Sequence, residues 1–186
     1  MSDAAHQRIL ATAGDLEQRP RAEVIRGAIV EKAEPSFEHS DAQSGLAAIL
    51  KPPFQGGRGG PGEWWLGTEV EIELETHEVY LPDVSGWRRV RVPERPRGRP
   101  IRIRPDWVAE VLSKSTATND LGVKLATYHR AGVPHYWIID VEHETLTAYR
   151  ASAEGYVVLL SAGRNERVRA APFEDIEIEI ELLFGG

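Results

Sequence analysis

Two acidic residues and a lysine near the middle of the chain have the side-chain types that metal-assisted phosphodiester chemistry requires. Glu110 interrupts the apolar segment 107–112, where a buried carboxylate needs a cation, a metal ion or good hydrogen bonds to compensate for lost hydration. Asp83 ends an earlier strand-like segment, and Lys124 lies in a later helix-like one. Because Mg²⁺ and Mn²⁺ prefer oxygen ligands, these residues predict a divalent-metal site for hydrolysis of a phosphodiester.

Periodicity predicts how these side chains meet. In a strand over 107–112, alternation places Val108, Glu110 and Leu112 on one face. Residues 120, 124 and 128 form one stripe of a helix, so a helix packed over this strand would bring Lys124 to Glu110. We predict that Asp83, Glu110 and the carbonyl of Leu112 hold the ion, and that Lys124 orients the attacking water. The competing interpretation is structural, with Glu110 and Lys124 forming a buried ion pair and Asp83 capping a turn.

The elements that must position this site indicate a single mixed α/β domain spanning residues 1–186. A strand, a helix and a strand follow one another between residues 107 and 140, an order typical of a crossover within a mixed sheet. The predicted elements are a hairpin at 23–30, a helix at 36–50, strands at 63–66, 69–74, 78–90 and 107–112, a helix at 119–131, further strands at 135–140, 145–150 and 156–160, and an edge strand within 173–184. Two loops are expected: a flexible Gly/Pro-rich loop at 51–62 and an Arg/Pro-rich loop at 91–105, where four prolines would remove ladder donors.

Composition excludes several classes of protein. With 41% hydrophobic residues the chain is globular rather than disordered, and no apolar run approaches the roughly 18–20 residues that a membrane span needs. The absence of cysteine excludes disulfides and thiolate zinc sites and makes the cytoplasm the expected compartment. No Gly-rich loop joins a strand to a helix as phosphate binding requires, so no nucleotide cofactor is expected.

Positive charge is concentrated in one segment of a chain whose net charge is −7. Eight arginines lie between residues 88 and 104, opposed there only by Glu94. Arginine suits bidentate phosphate contacts, so Arg88, Arg89 and Arg91 are candidates for binding the nucleic-acid backbone. The alternative is a solvated loop that pairs with the acidic surface of the same protein.

Several motifs together resemble the Uma-two family of bacterial proteins, which is placed in the PD-(D/E)XK restriction-endonuclease-like superfamily. The motifs are Pro82-Asp83, residues 107–113, Ser115-Thr116-Ala117, Asp120, Lys124, Tyr128 and residues 131–140. The resemblance implies a restriction-endonuclease-like core, a central mixed sheet flanked by helices, with Asp83 and Glu110 as metal ligands. The superfamily's lysine, two positions after the glutamate, is replaced by Leu112, and in this family it has moved to the helix position matched by Lys124. Lys114 is a competing candidate, since an extended strand would also bring it to the site.

These observations predict an enzyme, a Mg²⁺- or Mn²⁺-dependent endonuclease that acts on DNA. A homodimer is expected because cutting both strands of a duplex with one site per chain requires two copies. Two alternatives remain: a catalytically inactive DNA- or partner-binding module that keeps the fold, and a structural protein if Asp83 and Glu110 lie far apart. Weaker site candidates are Glu31, beside the hairpin and a possible member of the metal shell, and His39 and Glu69, which in such positions are more commonly surface residues.

Overall fold

A six-stranded mixed sheet forms the centre of the computed structural model, which describes residues 10–112 and 119–186. Its strands are β3 (Trp64–Thr68), β6 (Val84–Arg88), β7 (Trp107–Leu112), β8 (His135–Asp140), β9 (Thr145–Ala151) and β10 (Tyr156–Gly163). The strand order is β10-β9-β8-β7-β6-β3, in which β7 and β8 are parallel and the other neighbours are antiparallel. The parallel pair carries the predicted strand–helix–strand crossover, so this part of the prediction is confirmed.

A second, four-stranded antiparallel sheet has the order β2-β1-β5-β4. Its strands are β1 (Ala22–Ile25), β2 (Ala28–Glu31), β4 (Ile72–Glu75) and β5 (Glu78–Tyr80). The predicted hairpin, β1–β2, turns at Arg26 and Gly27, both with positive φ, as a tight two-residue connection requires. The chain passes from this sheet into the central one across residues 81–83, which separate β5 from β6. The single strand expected at 78–90 is therefore two strands in different sheets.

Each of the two longer helical regions combines an α-helix with a wider helical segment next to it. Helix α1 (Phe37–Leu50) is capped by Ser36, whose Oγ accepts the backbone N–H of His39. It continues as a wider helical segment, Lys51–Gln55, which buries Phe54 completely. The loop expected from residue 51 therefore starts only after Gln55. Helix α2 (Leu125–Arg130) is likewise preceded by a wider segment, Asn119–Lys124.

The ends of the described chain add short elements. A 3₁₀ turn, Ala13–Leu16, precedes β1, and a two-stranded ribbon of β11 (Arg167–Val168) and β12 (Ile178–Glu179) is followed by a second 3₁₀ turn, Ile180–Leu183. The expected edge strand within 173–184 is wrong for most of its length. Phe173, Ile180 and Leu183 are instead buried in the core, so this tail covers the central sheet rather than extending it.

Strand β7 is buried at all six positions and separates two apolar clusters. Trp107, Ala109 and Val111 face the cluster that includes α1, whereas Val108 and Leu112 face the cluster that includes Tyr128 of α2. Alternation then directs Glu110 toward the α2 side, as the sequence predicts. No helix in the described part of the chain is long and apolar enough to cross a membrane.

Candidate functional site

Asp83, the residue just before β6, faces Glu110 of the adjacent strand β7. Val84 pairs with Ala109 at the end of the β6–β7 ladder, so the next residues outward are Asp83 on one side and Glu110 on the other. Oδ2 of Asp83 accepts the backbone N–H of Val111, the residue after Glu110, at 2.7 Å. Both acidic side chains are almost completely buried. The two acids are therefore held together by main-chain geometry.

The Asp83 carboxylate is surrounded by groups that stabilise its anionic form. Nζ of Lys32 lies 2.9 Å from Oδ1, and Nε2 of His39 lies 3.3 Å from Oδ2. Burial alone would raise the pKa of Asp83, but the hydrogen bond with His39 and the charge of Lys32 outweigh it and lower this pKa well below its usual value. Gln43 adds a hydrogen bond to the backbone carbonyl of Asp83 at 3.0 Å. Asp83 is thus a buried carboxylate that stays ionised at neutral pH.

Glu110 is bound to the crossover helix. Its Oε1 lies 3.1 Å from Nζ of Lys124 and accepts the Tyr128 hydroxyl at 3.0 Å. Burial, followed by the charge of Glu110, raises the pKa of Tyr128 well above its usual value, so its hydroxyl keeps the proton that it donates. The four-residue spacing of Lys124 and Tyr128 places both groups on one carboxylate oxygen, as the predicted helix stripe requires.

A third acid, Glu23, completes the described cluster. Its Oε1 lies 2.8 Å from Nζ of Lys124 and accepts the backbone N–H of Leu81 at 2.8 Å. Nζ of Lys32 donates to the carbonyl of the same leucine at 2.8 Å. Both polar groups of the Leu81 backbone are thereby fixed at the bend where the chain leaves the four-stranded sheet. The cluster lies at the junction of the two sheets.

The described cluster is nearly balanced in charge. Three carboxylates, Glu23, Asp83 and Glu110, surround the ammonium groups of Lys32 and Lys124. Burial would lower the pKa of Lys32, but Asp83 and Glu110 reverse this effect and raise it above its usual value. Counted by formal charge, these three carboxylates and two ammonium groups leave a net charge of about −1.

The structure brings some predicted site residues together and separates others. Asp83, Glu110, Lys124 and the weaker candidate His39 all meet in the cluster. Glu31 does not, because its exposed side chain pairs with Arg19 at 2.7 Å. The Glu69 backbone N–H donates to the Asp83 carbonyl at 3.2 Å, but its side chain turns away to Arg21. Leu112 ends β7 with its side chain in the apolar cluster. Lys114 lies outside the described residues.

Lys32 and Glu23 belong to the cluster but are missed by sequence reasoning. Lys32 follows directly after β2, a mostly exposed strand, and a lysine there is typical of a solvated surface. Glu23 lies in β1, which is buried at all four positions. An acid inside a run of buried strand residues is the same signal that singles out Glu110, and it would have identified Glu23 once β1 was recognised as a central strand.

The arginine segment does not begin next to the acids. Arg88 ends β6 at the opposite end from Asp83, about 16 Å away along the strand for five residues at roughly 3.3 Å each. The segment joins the two strands next to which the acids lie, which would suggest that it starts and finishes beside Asp83 and Glu110, but it does not. Antiparallel pairing puts both acids at one end of β6–β7 and the connecting loop at the other.

Arg88, Arg89 and Arg91 make contacts within the protein. The guanidinium carbon of Arg88 lies 4.8 Å from the Trp64 ring centroid, and that of Arg89 lies 3.9 Å from the Trp65 ring centroid. Arg91 pairs with Asp106 at 2.8 Å and also donates to the Arg104 carbonyl. These three arginines anchor the segment, whereas Arg95 and Arg97 further along it are exposed.

Comparison with known proteins supports the same family as the sequence motifs. The model of the Uma2 family, described as "Putative restriction endonuclease", matches residues 7–181. The chain belongs to the Uma2 family. No curated protein matches it. The crystal structure of a "putative nuclease belonging to DUF820 from Anabaena variabilis ATCC 29413" aligns with a TM-score of 0.72 at 22% identity, covering 94% of this chain and 97% of that one. At this identity the alignment supports the nuclease-like fold.

Membership of Uma2 makes the chain a protein of a nuclease family, and restriction-endonuclease-like families usually use a divalent metal ion. The donor chemistry at the site fits such an ion, because Asp83 and Glu110 offer ionisable oxygens from facing strand positions. Nδ1 of His39 is also buried without a hydrogen-bond partner among the described residues. Within residues 10–112 and 119–186, however, no three histidine or acidic side chains are arranged to hold a metal ion together. Lys124 instead lies between Glu23 and Glu110.

Proposed function

We propose that this Uma2 protein is a divalent-metal-dependent endonuclease that hydrolyses phosphodiester bonds in DNA. The observation that carries the proposal is the facing placement of the buried Asp83 and Glu110, joined by the hydrogen bond from Val111 N–H to Asp83. Two adjacent carboxylates in a protein of a nuclease family are the ligands expected for Mg²⁺ or Mn²⁺. The backbone carbonyl of Leu112 is the proposed third protein ligand.

A bound divalent ion would stabilise charge on the phosphate and increase the acidity of a water molecule. The protein's own groups have separate roles. Lys32 and His39 keep Asp83 ionised and oriented, and Tyr128 fixes the Glu110 carboxylate by a hydrogen bond. Lys124 supplies the positive charge that orients the attacking water or stabilises the developing phosphorane charge. Lys114 remains the competing candidate for this role.

DNA is proposed as the substrate, with a homodimer cutting both strands. In this proposal the arginine segment contacts backbone phosphates, with Arg95 and Arg97 making the contacts and Arg88, Arg89 and Arg91 holding the segment against the sheet. Molar-mass measurement by light scattering tests the dimer, and a mass of one chain at assay concentration would contradict it.

A cleavage assay on duplex DNA with Mg²⁺ or Mn²⁺ tests the catalytic site. Asp83→Asn and Glu110→Gln should each abolish cleavage while retaining the fold, as checked by circular dichroism. The matched control is Glu31→Gln, an exposed acid outside the cluster, which should cut like the wild type. Loss of cleavage in Lys114→Met but not in Lys124→Met would assign the lysine role to Lys114. Equal cleavage by the wild type, Asp83→Asn and Glu110→Gln would refute the site.

One specific observation favours a second candidate, a binding module without catalysis. Glu110 and Asp83 are each already bound to an ammonium group, as in a structural ion-pair network. Salt-sensitive DNA binding without metal-dependent cleavage by the wild type would support this alternative.

A further inference from the structure

Lys32 occupies an unusual position for a lysine at the end of a surface strand. Its backbone N–H donates to the Arg21 carbonyl at 2.7 Å, which fixes the chain as it leaves β2. Its side chain turns inward and is 7% exposed, whereas the adjacent Glu31 is 59% exposed. Nζ then contacts Oδ1 of Asp83 and the carbonyl of Leu81. The fold therefore places an ammonium group in direct contact with Asp83, the first predicted metal ligand.

We propose that Lys32 is a built-in counter-ion of Asp83 that competes with a divalent ion and sets a weak metal affinity. This inference rests on the proposed function, because it takes Asp83 as a metal ligand. An ammonium group 2.9 Å from a carboxylate oxygen neutralises the charge that would attract the metal ion. Burial strengthens the competition, since few water molecules screen the two cations from each other.

Lys124 is not an equivalent counter-ion of a single acid, because its ammonium group is shared between two carboxylates. Its Nζ lies 2.8 Å from Glu23 and 3.1 Å from Glu110, so removing Lys124 disturbs two carboxylates and the crossover helix. Among acidic groups, the side chain of Lys32 contacts Asp83, and its second contact is with a neutral carbonyl. A change at Lys32 therefore acts mainly on the charge at Asp83.

A purely structural role for Lys32 predicts a different result. If Lys32 only ties the bend at residues 81–83, its removal should destabilise the protein and leave metal affinity unchanged or weaker. If Lys32 competes with the ion, its removal should make the site bind metal more tightly, and the protein should gain more thermal stability from added metal. The two roles differ in the sign of the change in affinity.

The test measures Mn²⁺ binding by titration calorimetry and the Mn²⁺-induced shift in Tm for the full chain. Lys32→Met removes the charge and the donor, and Lys32→Gln removes the charge but keeps a donor for the Leu81 carbonyl. Both should bind Mn²⁺ at least about tenfold more tightly than the wild type, which corresponds to ~1.4 kcal/mol. Lys32→Arg should keep the weak affinity. Lys51→Met, a lysine in the helical segment after α1, is the matched control and should match the wild type.

The outcomes separate this inference from the proposed function. Unchanged or weaker Mn²⁺ affinity in a folded Lys32→Gln protein, with binding abolished by Asp83→Asn, would overturn the role of Lys32 and leave the metal site standing. Absence of Mn²⁺ binding in the wild type and in every variant would overturn both. Tighter binding in Lys32→Gln that is lost again in the double variant Lys32→Gln/Asp83→Asn would support the inference.

Discussion

The ammonium group of Lys124 lies 2.8 Å from Oε1 of Glu23, and the same oxygen accepts the backbone N–H of Leu81. One carboxylate thus joins the crossover helix to the bend between the two sheets. Glu23 belongs to the first strand of the described chain and Lys124 to the segment before α2, so this contact links distant parts of the sequence. The atoms that stabilise the fold here therefore belong to the same cluster as those to which we assign the proposed chemistry.

Removing Glu23 should destabilise the fold strongly. Glu23→Ala leaves Lys124 with one fewer carboxylate and the Leu81 N–H without its acceptor, and we expect a loss of about 3–5 kcal/mol in the free energy of unfolding. Glu23→Gln should lose less, because an amide oxygen can still accept from Leu81. Urea denaturation provides the measurement. The control is Glu31→Ala, which breaks an exposed ion pair and should change the free energy of unfolding by less than about 1 kcal/mol. Equal losses in Glu23→Ala and Glu31→Ala would contradict a stabilising role for the buried contact between Glu23 and Lys124.

Acid should remove the stabilisation that Asp83 provides in the metal-free protein. Its pKa in the folded chain is lowered below the ordinary value of 3.8, so its contribution is fully present above that value. As the pH falls below about 3.8 toward the lowered pKa, the unfolded chain binds a proton first and this contribution is lost. The wild type should therefore lose more stability than Asp83→Asn between pH 5 and about pH 2, measured by urea denaturation with a chelator present.

The control for this pH series is Asp175→Asn, which removes an exposed carboxylate from the same chain. The effect is specific to Asp83 if Asp83→Asn departs from the wild-type pH dependence and this variant, which leaves the cluster untouched, does not. A stability difference between wild type and Asp83→Asn that stays constant from pH 5 to pH 2 would contradict the lowered pKa of Asp83, because it would mean that the folded and unfolded chains bind this proton equally.

The hydroxyl of Tyr128 should matter for both stability and cleavage. Tyr128→Phe keeps the ring in the core but removes a hydrogen bond to an ionised acceptor, which should cost about 1.5–3 kcal/mol in the free energy of unfolding. Tyr156→Phe is the matched control, because its hydroxyl donates at 2.7 Å to a neutral carbonyl away from the acids. Tyr128→Phe should also lower kcat for DNA cleavage more than Tyr156→Phe. Identical kcat values in the two variants would exclude a positioning role for Tyr128.

Local patterns predict most of the central sheet and most of the cluster, but not Lys32 or Glu23. The alternation in β7 and the four-residue spacing of Lys124 and Tyr128 are local, and they identify the meeting of Glu110 with the helix. Asp83 is found because a strand-ending acid precedes β6. Lys32 could not be found in this way, since its inward turn depends on a hydrogen bond to Arg21 and on a carboxylate 51 positions later in the chain.

Two segments outside the cluster also differ from their predicted structure. Residues 51–62 are rich in glycine and proline, a composition typical of loops, but Phe54 packs against Phe173 at 4.6 Å between ring centroids and holds the first turn against the core. The tail that contains Phe173 alternates like an edge strand, yet its apolar residues fill the space above Trp64 and Trp107. Both errors share one cause: long-range aromatic packing overrides local propensity.

The arginine segment should bind DNA through its exposed members. The double variant Arg95→Ala/Arg97→Ala should weaken DNA binding and reduce the slope of log Kobs against log salt concentration by about 1.8, for two lost phosphate contacts at roughly 0.9 each. Its unfolding free energy should stay near the wild-type value, because both side chains are exposed. Fluorescence anisotropy at several salt concentrations, with a chelator present to prevent cleavage, provides the measurement.

Arg91→Ala is the contrasting variant for the same segment. Arg91 pairs with the buried carboxylate of Asp106, which also accepts the backbone N–H of Arg88, so its removal should lower the free energy of unfolding by about 1–3 kcal/mol. If Arg91 anchors the loop and does not contact a DNA phosphate, the slope of log Kobs against log salt concentration should stay at the wild-type value. A lower salt slope in Arg91→Ala, together with an unchanged slope in Arg95→Ala/Arg97→Ala, would reverse the roles of the two groups of arginines.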